Sequence, residues 1–233
     1  MLRFNGTNGF AGIREKTMIP TKIIGTVGRM WADSTYSSFT DSLVDLMQFS
    51  QATICKPGEM IQYDHATVSW HQMGRNQLVT QMKGDWLLQL DTDHVFGPDL
   101  LSRLLFLQDK HNLPVISAIY QYKFPPHAPV AGMWTGDKQI TSLVAWPKEE
   151  EVLEVGVVGA GALLVKKKVF DRITKELQQE PFEIVPGLSE DYSFCYRCRQ
   201  LGIPVGLAVN VQCHHQIRTT LDMADYYPDQ ALM

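Results

Sequence analysis

Asp85-Trp86-Leu87-Leu88-Gln89-Leu90-Asp91-Thr92-Asp93 is an apolar run that ends abruptly in two carboxylates one residue apart. Bounded by Gly84 and by Gly97-Pro98, a run this short reads as a buried strand. Open α/β sheets bind ligands beyond the carboxyl ends of their strands, so both aspartates sit where chemistry usually happens. If the backbone stays extended there, Asp91 and Asp93 share a face. Hard oxygen ligands then converge on one point suited to Mg²⁺ or Mn²⁺ and to a diphosphate.

The flanking sequence alternates strand and helix. Residues 22–27 are β-rich and followed by Gly28, and Ser38 with Asp41 three positions on resembles a capping box that opens a helix carrying Phe39, Leu43, Leu46 and Met47. Residues 52–55 read as a second strand closed by Pro57-Gly58. Residues 75–83 read as a helix with Leu78, Val79 and Met82 inward and Gly84 as its stop. After the acidic pair, Pro98 is placed as the first residue of a helix striped by Leu100, Leu101, Leu104, Leu105 and Leu107, and residues 115–119 form strand four. Short connections between such elements imply a parallel sheet with helices on both faces.

The second half differs in texture. Residues 120–129 are rich in proline and aromatics, Gly136-Asp137 suggests a hairpin turn, and 147–151 is a charged connection. A β-like run at 155–165 is interrupted by Gly159 and Gly161, which either let backbone approach a ligand or mark a bend. Residues 168–178 read as an amphipathic helix, Ser189-Glu190-Asp191 opens another that ends at Gly202, and 205–209 is a strand followed by Cys213-His214-His215. Tyr120, Tyr122, Phe124 and Trp134 would stack on a ligand or, more simply, pack in the core.

A chain of 233 residues, 45% hydrophobic and 20% charged, is ample for one globular domain and short for two. A net charge of −4 argues against a general nucleic-acid or membrane-surface binder, because both need basic fields. No segment reaches the length of a membrane span, and residues 1–21 are polar and lack the apolar core of a secretory signal. A cytoplasmic location is the resulting expectation. Cys55, Cys195, Cys198 and Cys213 fit reduced thiols better than a disulfide framework.

Three polar clusters thus fall at element ends that one sheet would bring together: Asp91/Asp93, Glu190-Asp191 and His214-His215. Their order, with Val157-Val158-Gly159-Ala160-Gly161-Ala162-Leu163-Leu164-Val165 between the first two, resembles a family 2-type glycosyltransferase of the GT-A fold over residues 22–215. The resemblance implies an α/β GT-A fold with a mostly parallel central sheet flanked by helices. It divides the chain into a flexible polar segment (1–21), one catalytic domain (22–215, with a nucleotide-binding half 22–119 and an acceptor half 120–215) and a tail (216–233).

By the same resemblance, Asp93, with Asp91 directly or through ribose and water, matches the D-x-D that holds a cation on the phosphates of a nucleotide sugar. His215 matches the later histidine ligand, with His214 beside it as the rival candidate. Asp191 matches the acid that takes the acceptor hydroxyl proton, Glu190 shapes that site, and Arg75-Asn76 line the nucleotide pocket. The partners implied are a nucleoside-diphosphate sugar and a hydroxyl acceptor. An imidazole ligand suits Mn²⁺ better than Mg²⁺.

Other readings fit parts of the pattern. Leu90-Asp91-Thr92-Asp93-His94-Val95 resembles the nucleophile strand of haloacid-dehalogenase-type phosphatases, although that family places it on the first strand. Cys195, Cys198, Cys213 and His214 have ligand types for zinc, against ordinary helix packing of the first two. A nucleotidyltransferase lacks its glycine-rich triphosphate loop here, and a non-catalytic nucleotide-sugar or glycan-binding protein fits if the metal site is incomplete.

Overall fold

The computed structural model describes residues 22–32, 35–146 and 149–217. The segment 1–21, the tail beyond 217 and part of the charged connection at 147–148 lie outside the described residues. In chain order the elements are β1 (Lys22–Arg29), α1 (Ser37–Thr53), β2 (Glu59–His65), α2 (His71–Gln81), β3 (Trp86–Leu90), β4 (His94–Phe96), α3 (Leu100–Lys110) and β5 (Val115–Ile119). There follow β6 (Ala131–Trp134), β7 (Ile140–Ser142), β8 (Val152–Val155), β9 (Val157–Val158), β10 (Ala162–Lys166), α4 (Lys167–Arg172), α5 (Glu190–Gln200) and β11 (Val205–His215). No helix among the described residues is long and apolar enough to cross a membrane.

The main sheet has eight strands in the order β2-β1-β3-β10-β5-β11-β4, with β8 also paired to β11. β1, β2, β3, β5 and β11 run in one direction, and β10 lies antiparallel between β3 and β5. A strand from the second half of the chain is therefore inserted between two strands of the first, which strand-by-strand reading of the sequence did not anticipate. β3 and β5 are buried at every position, as central strands covered on both faces must be.

Alternation along β3 sorts its side chains. Trp86, Leu88 and Leu90 pack with Phe39 and Leu46 of α1 and Leu101 and Leu104 of α3. Leu87 points the other way, into the layer of Leu78 from α2, Phe170 from α4 and Phe194 from α5. Gln89 and Asp91 have the parity of Leu87, so the strand delivers them to the α2 side.

Several boundaries differ from the sequence reading. Ala52 and Thr53 finish α1 rather than forming a strand, and the second strand begins at Glu59, after Pro57-Gly58 instead of before it. A four-residue β-prone stretch is too short to overrule a helix already propagating into it. The Ser38 capping box does not form. Tyr36 is the N-cap of α1 and makes no side-chain cap bond, and Ser38 instead accepts a hydrogen bond from Gln216. α3 starts at Leu100, two residues after Pro98. The helix expected over 168–178 is α4 followed by a π-helical turn, Ile173–Leu177. The Gly136-Asp137 hairpin is present between β6 and β7, with Thr135 N–H donating to Gln139 C=O at 2.9 Å.

β11 runs further than 205–209. Its register shifts between Ala208 and Gln212, and it then continues to His215 against β4. This antiparallel pairing sets His215 opposite His94 and His214 opposite Val95.

Candidate functional site

Asp91 and Asp93 part company because the chain does not stay extended. β3 ends at Leu90, Thr92 and Asp93 form a turn, and β4 begins at His94. Asp91 keeps the strand's parity and meets Arg75 of α2, whose Nη2 donates to Oδ1 at 3.1 Å and Oδ2 at 3.3 Å. Asp93 turns towards β11, where Gln216 N–H fixes its carbonyl at 2.7 Å.

Arg75 is 2% exposed and its donors are spent within the protein. Besides Asp91, Nε donates to Glu190 Oε1 at 3.2 Å, and Nη1 donates to Gln89 Oε1 at 3.2 Å and Ala160 C=O at 3.0 Å. Burial alone would lower its pKa, but the charges of Asp91 and Glu190 raise it, so the guanidinium stays charged. Its neighbour Asn76 is equally committed. Its Nδ2 donates to Glu180 at 2.9 Å and its Oδ1 accepts from Phe182 N–H at 3.0 Å. Arg75 thus ties the end of β3 to the start of α5, and Asn76 ties α2 to the segment at 180–182.

Around Asp93 the chemistry is of another kind. Oδ2 accepts a hydrogen bond from Lys123. Oδ1 lies 3.2 Å from His94 Nδ1 and 4.0 Å from His215 Nε2. Asp93, His94 and His215 can each offer a ligand atom, all within 4.8 Å of one another, and they form the one such group among the described residues. Burial raises the Asp93 pKa, but the close approach of His94 and Lys123 outweighs it and holds the carboxyl well below the usual carboxylate range. Burial and the proximity of His94 lower the His215 pKa, which favours the neutral ring that a metal requires.

The imidazoles are held by their neighbours. His94 and His215 lie with ring centroids 4.1 Å apart, and Tyr120 meets both edge-on at 4.6 and 5.1 Å. His215 Nδ1–H donates to Gln121 C=O, which leaves Nε2 with its lone pair towards Asp93. His214 is exposed, pairs with Val95 in the register and is not part of the Asp93, His94 and His215 group. Asp93 Oδ1 and both ring nitrogens of His94 are buried without a hydrogen-bond partner. Orphaned buried acceptors are costly, about 1–3 kcal/mol each, and this oxygen-and-nitrogen donor set fits a divalent cation.

Asp191 stands in the first turn of α5. Its Oδ1 accepts from Ser189 Oγ and from Tyr192 N–H at 2.8 Å, which leaves Oδ2 uncommitted. Burial, then the neighbouring Glu190 charge, raise its pKa above the ordinary aspartate value. Tyr192 Oη pairs with Tyr122 Oη at 2.7 Å, so α5 and the segment carrying Lys123 are fastened together. Beside His215 opens a cavity of about 280 Å³ lined in part by Tyr122, His127, Trp146 and His214.

The two glycines flanking Ala160 make room for side chains. A Cβ on Gly159 would lie 1.9 Å from Tyr120 Oη, and one on Gly161 2.5 Å from His94 Cε1. Gly161 N–H also donates to Tyr120 Oη at 3.0 Å. Gly161→Ala is therefore expected to destabilise the fold by about 1–3 kcal/mol through overpacking, read as a lowered midpoint in urea unfolding.

Two residues at this site escaped the sequence. His94 carries no motif of its own, and its one signal is the register that sets it opposite His215. Lys123 lies in a loop and has no periodic signal at all. The cysteines, by contrast, form no metal group among the described residues. Cys195 and Cys198 are buried, and burial pushes the Cys195 thiol up to about 12.

No protein-family model matches the sequence, and no curated protein is significantly similar to it. Solved structures do match in fold. A197 from STIV superposes with a TM-score of 0.51 at 15% identity, covering 84% of this chain and 86% of that one. GalNAc-T7, solved with UDP, GalNAc and Mn²⁺, superposes with a TM-score of 0.58 at 11% identity. That match covers 85% of this chain but 43% of GalNAc-T7. At such identities the likeness supports a GT-A-like fold and nothing beyond the fold.

Proposed function

We propose that residues 22–215 form a single catalytic domain, a cation-dependent glycosyltransferase that moves a sugar from a nucleoside-diphosphate sugar to an acceptor hydroxyl with inversion. The observation that carries this reading is the meeting, on a GT-A-like sheet, of two acidic centres with different commitments. Asp93 lies among imidazoles in a group able to hold a cation, and Asp191 keeps a free oxygen. The similarity to a structure that holds UDP, GalNAc and Mn²⁺ supports the choice of ligand class.

A divalent cation bound beside Asp93 and His215 would supply Lewis-acid stabilisation of the negative charge that develops on the leaving diphosphate. The chain's own residues do the rest. As the acceptor oxygen bonds to the anomeric carbon, the carbon–oxygen bond to phosphate breaks and its electron pair leaves with the diphosphate. The acceptor proton passes to Asp191 Oδ2. Asp91 is held at both oxygens by Arg75, Glu190 is paired with Arg75 through Oε1, and Asp93 lies in the cation group, so Asp191 Oδ2 is the acceptor chosen as base. Inversion follows from direct displacement by the acceptor oxygen with a single base, Asp191, taking its proton. The cavity beside His215 offers the acceptor a seat with aromatic walls. A phosphatase with Asp91 as nucleophile is disfavoured because Arg75 holds both its oxygens.

The test is a thermal-shift panel of UDP-, GDP-, CMP- and dTDP-sugars with and without Mn²⁺. One sugar nucleotide should stabilise the protein with Mn²⁺ far more than without it, by about 2.7 kcal/mol at a hundredfold excess over its dissociation constant. No response to any nucleotide, or turnover of simple phosphate esters without one, overturns the proposal.

A further inference from the structure

We infer that the cation is held by Asp93 Oδ1, His94 and His215, and that Asp91, the first carboxylate of the D-x-D, is not a ligand. This rests on the reading above only in supposing that the site takes a cation.

The carboxylates are already divided between partners. Arg75, buried and charged, takes both oxygens of Asp91, and pulling that carboxylate away would leave Arg75 short of a partner in the interior. Lys123 takes Oδ2 of Asp93 and so turns Oδ1 towards the imidazoles. His215 Nδ1–H is engaged by Gln121 C=O, which presents Nε2. What remains without a partner is Asp93 Oδ1 and the His94 ring, a residue with no exposed surface whose two nitrogens make no hydrogen bond. A buried ring whose Nδ1 stands 3.2 Å from a carboxylate oxygen without forming a geometrically sound hydrogen bond to it marks a place that a ligand completes.

The spacing agrees. Ligands about 2.0–2.2 Å from one ion stand roughly 3–4 Å from each other. The two imidazole-to-Asp93 separations here are 3.2 Å and 4.0 Å, and all three ligand atoms lie within 4.8 Å of one another. Register accounts for the pair: antiparallel β4 and β11 set His94 and His215 directly opposite, on one face. Gly161 leaves the space into which the His94 ring fits. Two imidazoles and one carboxylate favour first-row transition ions such as Mn²⁺, Co²⁺ or Zn²⁺ and disfavour Mg²⁺ and Ca²⁺, which prefer all-oxygen shells.

Co²⁺ titration of the nucleotide-free protein, followed by its visible absorption, tests this directly. One Co²⁺ should bind and resist displacement by excess Mg²⁺ or Ca²⁺. His94→Gln and His215→Gln should each weaken binding by about tenfold or more. Asp91→Asn should leave it essentially unchanged. Pulsed EPR on the Mn²⁺-loaded wild-type protein should count two coordinated imidazole nitrogens, a measurement that needs no variant to fold. A single coordinated imidazole, ready displacement by Mg²⁺, loss of Co²⁺ in Asp91→Asn with retention in His94→Gln, or no uptake at all overturns the inference. If Co²⁺ binds as described but no sugar nucleotide does, the metal site stands and the glycosyltransferase reading falls.

Discussion

Asp191→Asn is expected to cut sugar transfer by about 10²- to 10⁴-fold, the usual worth of a general base, while leaving nucleotide and metal binding intact. Asparagine preserves the shape of the side chain and can still accept from Ser189 and from the Tyr192 N–H, so the first turn of α5 has no reason to rearrange. What it loses is the capacity to take a proton at Oδ2. The readout is kcat for transfer beside a thermal-shift titration with the donor. Loss of donor affinity with the fold preserved would show that Asp191 binds rather than deprotonates.

The pH profile gives the same role a second signature. Burial and then Glu190 raise the Asp191 pKa, and the base works only when ionised, so activity should rise with pH through a midpoint above the ordinary aspartate value of about 3.9. Because folding raises this pKa, the stability it contributes is fully present below the unfolded value and is lost as pH rises through the folded one. Glu190→Gln removes one of the two raising influences and should move the activity midpoint to lower pH.

Arg75→Met should be the most destabilising substitution near the site, at about 3 kcal/mol or more in urea unfolding, within the range for removing one partner of a buried ion pair. It strands Asp91 and Glu190, whose side chains are 26% and 16% exposed, and removes the donors that satisfy Gln89 Oε1 and Ala160 C=O. Partial exposure of the two carboxylates keeps the effect towards the lower end. Arg75→Lys should recover little. A single ammonium cannot span partners on β3, on α5 and at Ala160 in the way a planar guanidinium does. Wild-type stability in Arg75→Met would mean that the two carboxylates hold their places without it.

Much of the frame was legible along the chain. The apolar run of β3, the leucine stripe of α3 and the glycine stops at Gly84 and Gly202 are local signals, and each corresponds to an element in the structure. The sequence motifs also marked Asp93, His215 and Asp191, which the fold gathers at the same end of the sheet as Arg75. Illegible were the antiparallel insertion of β10, the extension of β11 beyond its register shift, and the parts of His94 and Lys123. Residues 52–55 misled because strand propensity over so short a window is weaker than the cooperativity of the helix before it.

By itself the sequence determined which segments are strands and helices and which of their ends are acidic, because side-chain periodicity and turn chemistry act within a few residues of each other. Only the tertiary structure decided how the two aspartates of one motif are used. A two-residue turn sends Asp91 to Arg75 and Asp93 to the histidines, and the pairing of β11 with β4 sets His215 opposite His94 and His214 opposite Val95. Those choices depend on register between segments more than a hundred residues apart, where a slip of one residue reverses every side chain, and no local pattern records it.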